Sequence, residues 1–577
     1  MKDRVGNDIG ATTAQVDWHS IVWKSVNKRL RNLRRRIYRA SQQQQWNRVR
    51  SLMKLMLRSH ANLLWSVRRV TQLNAGRKTA GIDGYTALTP AQRVHLVHQM
   101  SAYAPGQVRP ARRIYIPKAK GKQRPLGIPC VLDRVAQSLV KNALEPSWEA
   151  RFEAHSYGFR PGRSAQDAID QTWIRLNKGH DSWILDADIK SAFDTISHDF
   201  ILDAIGLCPG REWIRQWLKA GYMEAEVFHT TDAGTPQGGV ISPLLANIAL
   251  DGMGELLSQF RDRKAFPRTQ AGREGQVGYR QVTRYGFIRY ADDFLVTARS
   301  REALEAVVPI LQDWLQQRGL MLHPEKTRIV HKDEGFDFLG FHIQARQGKC
   351  LITPQAAKVS AKLQALRAWL KAHLHTSPAL VIRFLNPILQ GWGRYYRHVV
   401  SKRVFNAMDD QLWRAIWRWC LRRHPNKSKT WVAKRYFKAF GYRHWVFAAT
   451  VRTPTDGDKS ISLFRLDSLT IERHVKVKGT ASPDDPDLQD YWQHRQQRHG
   501  QQYWSRGSTY YRLAQRQQWR CPVCGEGLVN GEEIHAHHRS PVQAGGLSQD
   551  ENLQLLHQTC HRQVHGQAKT PVGSQRA

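Results

Sequence analysis

GFIRYADDFLVTA, residues 286–298, sets two apolar runs around Ala291, Asp292 and Asp293. The pattern reads as a β-hairpin that lifts two adjacent carboxylates to the edge of a sheet. Neighbouring carboxylates at a tight turn repel one another unless a divalent cation lies on them, and hard oxygen ligands suit Mg2+. A second acidic strand end stands upstream in WILDADIKSAFDTI, residues 183–196, where a short apolar run delivers Asp186 and Asp188 before the chain turns toward a helix. Two metals about 4 Å apart can stabilise an attacking and a leaving oxygen when carboxylates from separate strands hold them. Asp188, Asp292 and Asp293 fit that requirement.

A pair of aspartates in a turn is by itself unspecific. The two stretches together resemble the palm of reverse transcriptases, whose Tyr-Ala-Asp-Asp hairpin matches Tyr290–Asp293 and whose Asp-Ile-Lys-x-x-Phe-Asp strand matches Asp188–Asp194. The resemblance continues in family order through IPKAKGKQRPLGIP (116–129), SYGFRPGRSAQDAI (156–169), TPQGGVISPLLANI (235–248), HPEKTRIV (323–330) and FDFLGFHI (336–343). It implies two Mg2+ ions on Asp188, Asp292 and Asp293. It also implies that Lys118 and Arg124 hold the incoming triphosphate and that Gln237 lies along the nucleotide pocket. Phe193 falls where the family sets a ring beneath the sugar, which implies dNTPs as substrates. Gly158, Gly238 and Gly340 are read as scaffold, permitting tight backbone turns.

Outward from the palm, residues 110–345 alternate β-rich runs with helical stretches such as REALEAVVPILQDWLQQRG. That order predicts an α+β domain built on an antiparallel sheet. From 356 to 450 the texture changes to long helices rich in Trp, Arg and Lys. Residues 451–508, with TPTDGD and SPDDPD, read as a boundary or linker, and a small Cys/His module follows from 509. The expected division is 1–345, 346–450, 451–508 and 509–577.

Two stretches narrow the resemblance to reverse transcriptase and maturase proteins of group II introns: GRKTAGIDG (76–84), in a long N-terminal extension, and FLNPILQGWGRYYR (384–397), similar to the thumb and maturase region. The family implies a right hand of fingers, palm and helical thumb, and intron RNA as a partner. A splicing factor keeping this fold for RNA binding alone could lose the palm carboxylates, and all three are present.

Charge supports a polyanionic partner. The 577 residues carry 88 Lys plus Arg against 48 Asp plus Glu, a net +40, with 41% hydrophobic residues, enough to fold. Residues 24–39 group Lys24, Lys28, Arg29, Arg31, Arg34, Arg35, Arg36 and Arg39 around a helical stripe of Val26, Leu30, Leu33 and Ile37, with no acid among them. Arg29, Arg34, Arg35 and Arg36 are the expected RNA contacts there. Arg414, Arg418 and Arg422 form a second set at helical spacing, with Leu412, Ile416 and Trp419 free to face a core. No apolar run approaches the roughly 18 residues of a spanning helix, and the N-terminus has no signal-like segment, so the expectation is a cytoplasmic ribonucleoprotein with no membrane partner. Oligomeric state is left open.

The seven cysteines are too sparse for a disulfide framework, and three of them fall in the terminal module. Cys521, Cys524, His557 and Cys560 supply four ligands in two knuckles, the set a structural Zn2+ takes. Within that frame the module resembles an HNH nuclease, which implies one divalent ion on His537, His561 and His565. It further implies His538 as general base, Asn552 as an orienting residue and His535 as a substitute ligand. The family commonly has two Cys-x-x-Cys pairs, whereas the second pair here begins with His557, leaving either a Cys3His site or a weakened knuckle. An active module would nick target DNA so that the freed 3′-hydroxyl primes copying, with Arg473, Lys476 and Lys478 contacting that DNA.

Overall fold

The four-three-four apolar spacing near the N-terminus folds as an amphipathic helix, Trp23–Gln42, which buries Val26, Leu30 and Ile37. With Trp46–Arg58 and His60–Arg68 it packs on the long helix Val131–Glu149. The computed structural model describes residues 17–117, 123–177, 181–267, 277–441, 443–453 and 457–567.

The central sheet has four antiparallel strands in the order Arg328–His331, Trp183–Asp188, Asp293–Ala298, Gly286–Tyr290. Side chains alternate along a strand, so Leu185, Ala187, Phe294 and Val296 enter one core while Ile184, Ile288 and Leu295 enter another. The helix Arg301–Gln316 covers the first face and Ala165–Leu176 the second. Burial on both sides explains why Phe294, Leu295 and Val296 are consecutive apolar residues rather than an alternating pattern. A second sheet orders Gln123–Ile128, Ala111–Pro117, Tyr222–Glu224 and Val227–His229. The α+β architecture is therefore as expected.

Beyond the palm the helices Ala356–Ala372, Pro378–Tyr396, Lys402–Arg423 and Lys429–Tyr436 follow one another, and Leu412, Ile416 and Trp419 join the second core. Two expected boundaries fall inside secondary structure. Position 345 lies in the strand Phe341–Arg346, whose hairpin partner ends at Pro354, and position 450 lies in the strand Arg443–Thr453, paired with Gly457–Ser462.

The stretch read as a linker is held down along most of its length. Asp409 accepts the backbone N–H groups of Leu466 and Asp467 at 3.0 and 2.9 Å. The buried Asp167 takes His474 Nε2 at 2.9 Å and the N–H of Val477 at 2.8 Å. Turn-forming composition does bend the chain there, but the acids of SPDDPD go on to meet the basic N-terminal helix: Asp484 pairs with Arg34 and Asp487 with Arg39.

The terminal module is a ββα unit, with Ile534–His538 antiparallel to Leu553–His557 and then the helix Gln558–Gln567. Leu513, Leu555 and Cys560 of this module share one core with Trp18, Trp23 and Val26. Among the described residues, no helix is long and apolar enough to cross a membrane.

Candidate active sites

Tyr290 pairs with Asp293 to close the palm hairpin over a two-residue turn, Ala291 and Asp292, and Ala291 takes φ +59°, the sign such a turn requires. On the other side Asp293 is the register partner of Asp188. Asp188, Asp292 and Asp293 thus come from two strands and one turn to a single sheet edge. Burial, then the charges of Asp292, Asp188 and Asp186, push the Asp293 carboxyl up to about 7, and burial raises Asp292 and Asp186 as well. Each acid raises its neighbour, so a cation at this edge would be drawn to all of them.

The neighbouring strand and the turn before it supply part of that charge from the protein itself. Lys326 forms an ion pair with Asp188, and Arg328, register partner of Asp186, donates to its carboxylate at 3.1 Å. Neither cation figured in the sequence reading. The signal was there, because a Lys-x-Arg pair at the entry to one strand meets an Asp-x-Asp pair at the end of the next.

A buried framework holds the hairpin. Arg289 is fully buried, donates to Asn247 Oδ1 at 3.1 Å, and is pushed down to about 10 by burial, with Glu153 and Asp251 opposing the shift. Asn247 in turn donates to the carbonyl of Gly158 at 2.9 Å. A Cβ on Gly158 would stand 2.3 Å from the Ala291 nitrogen. Gly238 and Gly340 do have positive φ, but Gly158 does not, so it is a glycine for close approach rather than for a turn.

Beside the acids, Gln237 accepts from Arg124 Nε at 2.8 Å and donates to Asp194 Oδ2 at 3.1 Å. Arg124 is near enough to Asp292 to oppose the rise of its carboxyl. Phe193 is buried, its ring 6.2 Å from that of Phe159 in an edge arrangement. Arg124 therefore lies near the acidic edge with Gln237 bonded to it, whereas Lys118 lies outside the described residues.

Among the described residues two sets bring three or more donor atoms within 4.8 Å of one another: Cys521, Cys524, His557 and Cys560, all buried, and His537, His561 and His565. The palm carboxylates are not drawn that close. In the first set His557 Nε2 lies 2.9 Å from the carbonyl of Gly527, which leaves Nδ1, 3.4 Å from Cys524 Sγ, facing the thiols. Three thiols and one imidazole in a buried cluster suit a tetrahedral soft-ligand ion, so the His557 substitution keeps a complete donor set. In the second, His565 and His561 nitrogens are 3.2 Å apart, and burial together with His565, His537 and His535 pushes His561 down to about 4. Its neutral imidazole is the form a metal takes. His535 is outside this set, with its ring 5.1 Å from that of His561 and Nε2 3.4 Å from Glu533. His538 Nε2 lies 3.0 Å from Ser548 Oγ. Asn552 holds the intervening loop, accepting from the Ser540 N–H at 2.8 Å and donating to the carbonyls of Ser540 and Leu547 at 3.0 and 2.8 Å.

Four family descriptions match these regions: "N-terminal domain of reverse transcriptase" over 18–100, "Reverse transcriptase (RNA-dependent DNA polymerase)" over 116–343, "Group II intron, maturase-specific domain" over 359–437 and "HNH endonuclease" over 521–567. Protein YkfC of Escherichia coli is 34% identical over 325 residues, 52% of this chain and 85% of that protein. The group II intron-encoded protein LtrA of Lactococcus lactis is 31% identical over 326 residues, 48% of this chain and 53% of LtrA. The chain belongs to the group II intron-encoded proteins. It is a reverse transcriptase with a maturase-specific domain and an HNH endonuclease domain. A solved telomerase from Candida albicans, in complex with telomeric RNA, covers 59% of this chain and 67% of its own at 12% identity and a TM-score of 0.31, too low to bear weight.

In this intron-encoded protein the two basic helix faces differ. Arg414, Arg418 and Arg422 are exposed along one face of Lys402–Arg423, with Arg414 also paired to Asp410. On the first helix Arg29 and Arg36 are exposed, but Arg34 is not a free cation: it is nearly buried between Glu145 and Asp484. Arg35 is half-buried and donates to Gln489 at 2.8 Å. The acids missing from the helix itself come from distant segments, which sequence spacing on one helix does not show. Lys476 likewise bonds Gln171 and is half-buried.

Proposed function

We propose that the palm edge copies intron RNA into DNA, and that the register pair of Asp188 and Asp293 beside Asp292 carries this reading. Asp188, Asp292 and Asp293 would hold two Mg2+ ions, which when bound lower the charge on the attacking 3′ oxygen and on the leaving pyrophosphate. The chain's own groups do the positioning. Arg124, oriented by Gln237, would lie against the dNTP phosphates, and Gln237 is itself fixed by Asp194. Phe193, held on its short helix, would close the floor under the sugar and leave no room for a 2′-hydroxyl. Lys118 is assigned to the same triphosphate on the family's pattern.

The exposed Arg414, Arg418 and Arg422, with Arg29 and Arg36, would grip the intron RNA through phosphates and stacking, so that splicing is the RNA's own chemistry on a fold the protein holds. In the terminal module His537, His561 and His565 would bind one divalent ion and Cys521, Cys524, His557 and Cys560 a Zn2+. His538 would take the proton of the attacking water, and Asn552 fixes the loop that faces it. The nick in target DNA would then supply the 3′-hydroxyl that primes copying.

Primer extension on an RNA template with dNTPs and Mg2+, run beside splicing of the cognate intron, tests the assignment. Asp292→Ala is expected to lose extension and keep splicing. A wild-type protein that binds the RNA and never extends a primer would overturn the polymerase reading.

A further inference from the structure

Arg68 belongs to the N-terminal extension, yet its guanidinium reaches the cysteine cluster at the other end of the chain. Nη2 donates to Cys560 Sγ at 3.1 Å and to Thr559 Oγ1 at 3.2 Å, across about 490 positions as the separations of 492 and 491 show. Arg68 is 5% exposed, and its guanidinium lies 4.3 Å from the centre of the Trp23 ring. Among the described residues no carboxylate lies within ion-pair distance of it. A buried guanidinium without an anion is costly, so its counter-charge must come from what it touches.

The cluster provides that charge. Three thiolates and a neutral imidazole around a divalent ion would leave one net negative charge, and Cys560 is the ligand whose sulfur lies beside Arg68. The same seam is closed by neutral bonds. Asn27 Nδ2 donates to the carbonyl of Cys524 at 2.9 Å, and Gln563 Nε2 donates to the carbonyls of His19 and Ile21 at 2.9 and 2.8 Å.

We propose that Arg68 is a positioning residue for the Cys521, Cys524, His557 and Cys560 metal centre, and that the loaded centre latches the endonuclease module onto the N-terminal extension. The inference rests on the zinc reading of that cluster. With the ion bound, the thiolate charge and Arg68 neutralise one another. The Arg68 bond to Cys560 and the Asn27 bond to the Cys524 carbonyl both end on ligand residues of the cluster, so the module's seat on the N-terminal extension depends on the ion that holds those ligands in place.

The test uses the full chain. Zinc content is measured first, then the rate of zinc release to a chromogenic chelator for wild type, Arg68→Lys and Arg68→Gln. Hydrogen exchange is followed on wild type before and after zinc is stripped. Wild type is expected to hold one zinc at this site. Arg68→Gln is expected to release it at least about tenfold faster, the scale of losing an outer-sphere partner, with Arg68→Lys between the two. Stripping is expected to raise exchange in Trp23–Gln42 and His60–Arg68 together with residues 509–567. Release by Arg68→Gln within twofold of wild type, or exchange that rises in the module alone, would overturn the latch. A wild type that holds no zinc would instead overturn the metal reading beneath it, and the exchange experiment needs no variant that could fail to fold.

Discussion

Arg34 and Asp484 form a forked pair across 450 positions of sequence, with Nε donating to Oδ1 at 2.8 Å and Nη2 to Oδ2 at 2.6 Å. Nη2 also reaches Glu145 at 2.9 Å, so one guanidinium ties the first helix to the palm-side helix and to the segment that precedes the endonuclease. Both acids and the arginine are close to fully buried, with side-chain exposures of 12%, 7% and 8% for Arg34, Glu145 and Asp484.

Arg34→Ala is therefore expected to act on stability rather than on RNA binding. Breaking a buried pair and leaving its acids unpaired costs about 3–5 kcal/mol. Arg36→Ala, at an exposed position, is expected to change stability by less than about 0.5 kcal/mol and to lower the salt dependence of RNA binding by about one phosphate contact. Unfolding of the N-terminal helices and RNA affinity over a salt series, measured on both variants, separate the roles. Equal stability of Arg34→Ala and wild type would refute this one.

Gly158 gives a polymerase prediction at a residue that acts through the backbone of the hairpin. Its missing Cβ leaves room for the backbone of Ala291, and an alanine there would come 2.3 Å from Ala291 N and 2.9 Å from the Tyr290 carbonyl carbon. The turn carrying Asp292 must then shift. Displacing a reacting group by about 1 Å costs on the order of 100-fold in rate, so Gly158→Ala is expected to lose primer extension on that scale while RNA binding stays within about threefold. Undiminished extension would mean that the hairpin has slack the packing does not suggest.

Local sequence was enough for the palm because both of its acidic stretches are strands whose partners differ only in register. Asp188 and Asp293 are each at a strand end, and the antiparallel sheet follows from the alternation around them. The cysteine tetrad and the histidine trio were legible for the same reason, since each knuckle is a short motif. What sequence spacing missed is charge pairing at a distance. Eight cations on one helix look like a nucleic-acid face until Glu145, Asp484, Asp487 and Glu526 arrive from elsewhere to pair with Arg34, Arg39 and Arg31. The same blindness hid Arg68, an unremarkable arginine in the sequence whose partner is a cysteine at the far end of the chain.

Asp251 supplies a pH dependence away from any proposed metal ligand. Burial, then Glu153, raises its carboxyl to about 6, with Arg289 opposing. Between about pH 4 and pH 6 the folded chain holds this proton more tightly than the unfolded one, so its contribution to stability falls as pH rises through that window and levels off above it. Asp251→Asn removes the charge and keeps an oxygen that can accept the N–H of Glu153. The variant is expected to melt at a higher temperature than wild type near pH 8 and at the same temperature near pH 4. A difference between the two proteins that does not change with pH would rule out titration as its cause.

The endonuclease assignment predicts a separation of activities within one chain. His538 sits beside Ser548 at 3.0 Å, one residue along the strand from His537, whose ring meets those of His561 and His565 at 5.2 Å. Successive strand residues point to opposite faces, so His537 can serve an ion while His538 stays free for a proton. A general base contributes about 10²–10⁴ in rate, and His538→Ala is expected to lose nicking of target DNA on that scale. Asn552→Asp keeps the size but trades two donors to the carbonyls of Ser540 and Leu547 for a carboxylate oxygen that repels them, so nicking should fall there too, with zinc content unchanged. Both variants should extend a pre-annealed primer as wild type does, because the palm acids lie in another domain. Nicking by His538→Ala at the wild-type rate would move the proton-accepting role to another group, and His535, 5.1 Å from the His561 ring, is the next to replace.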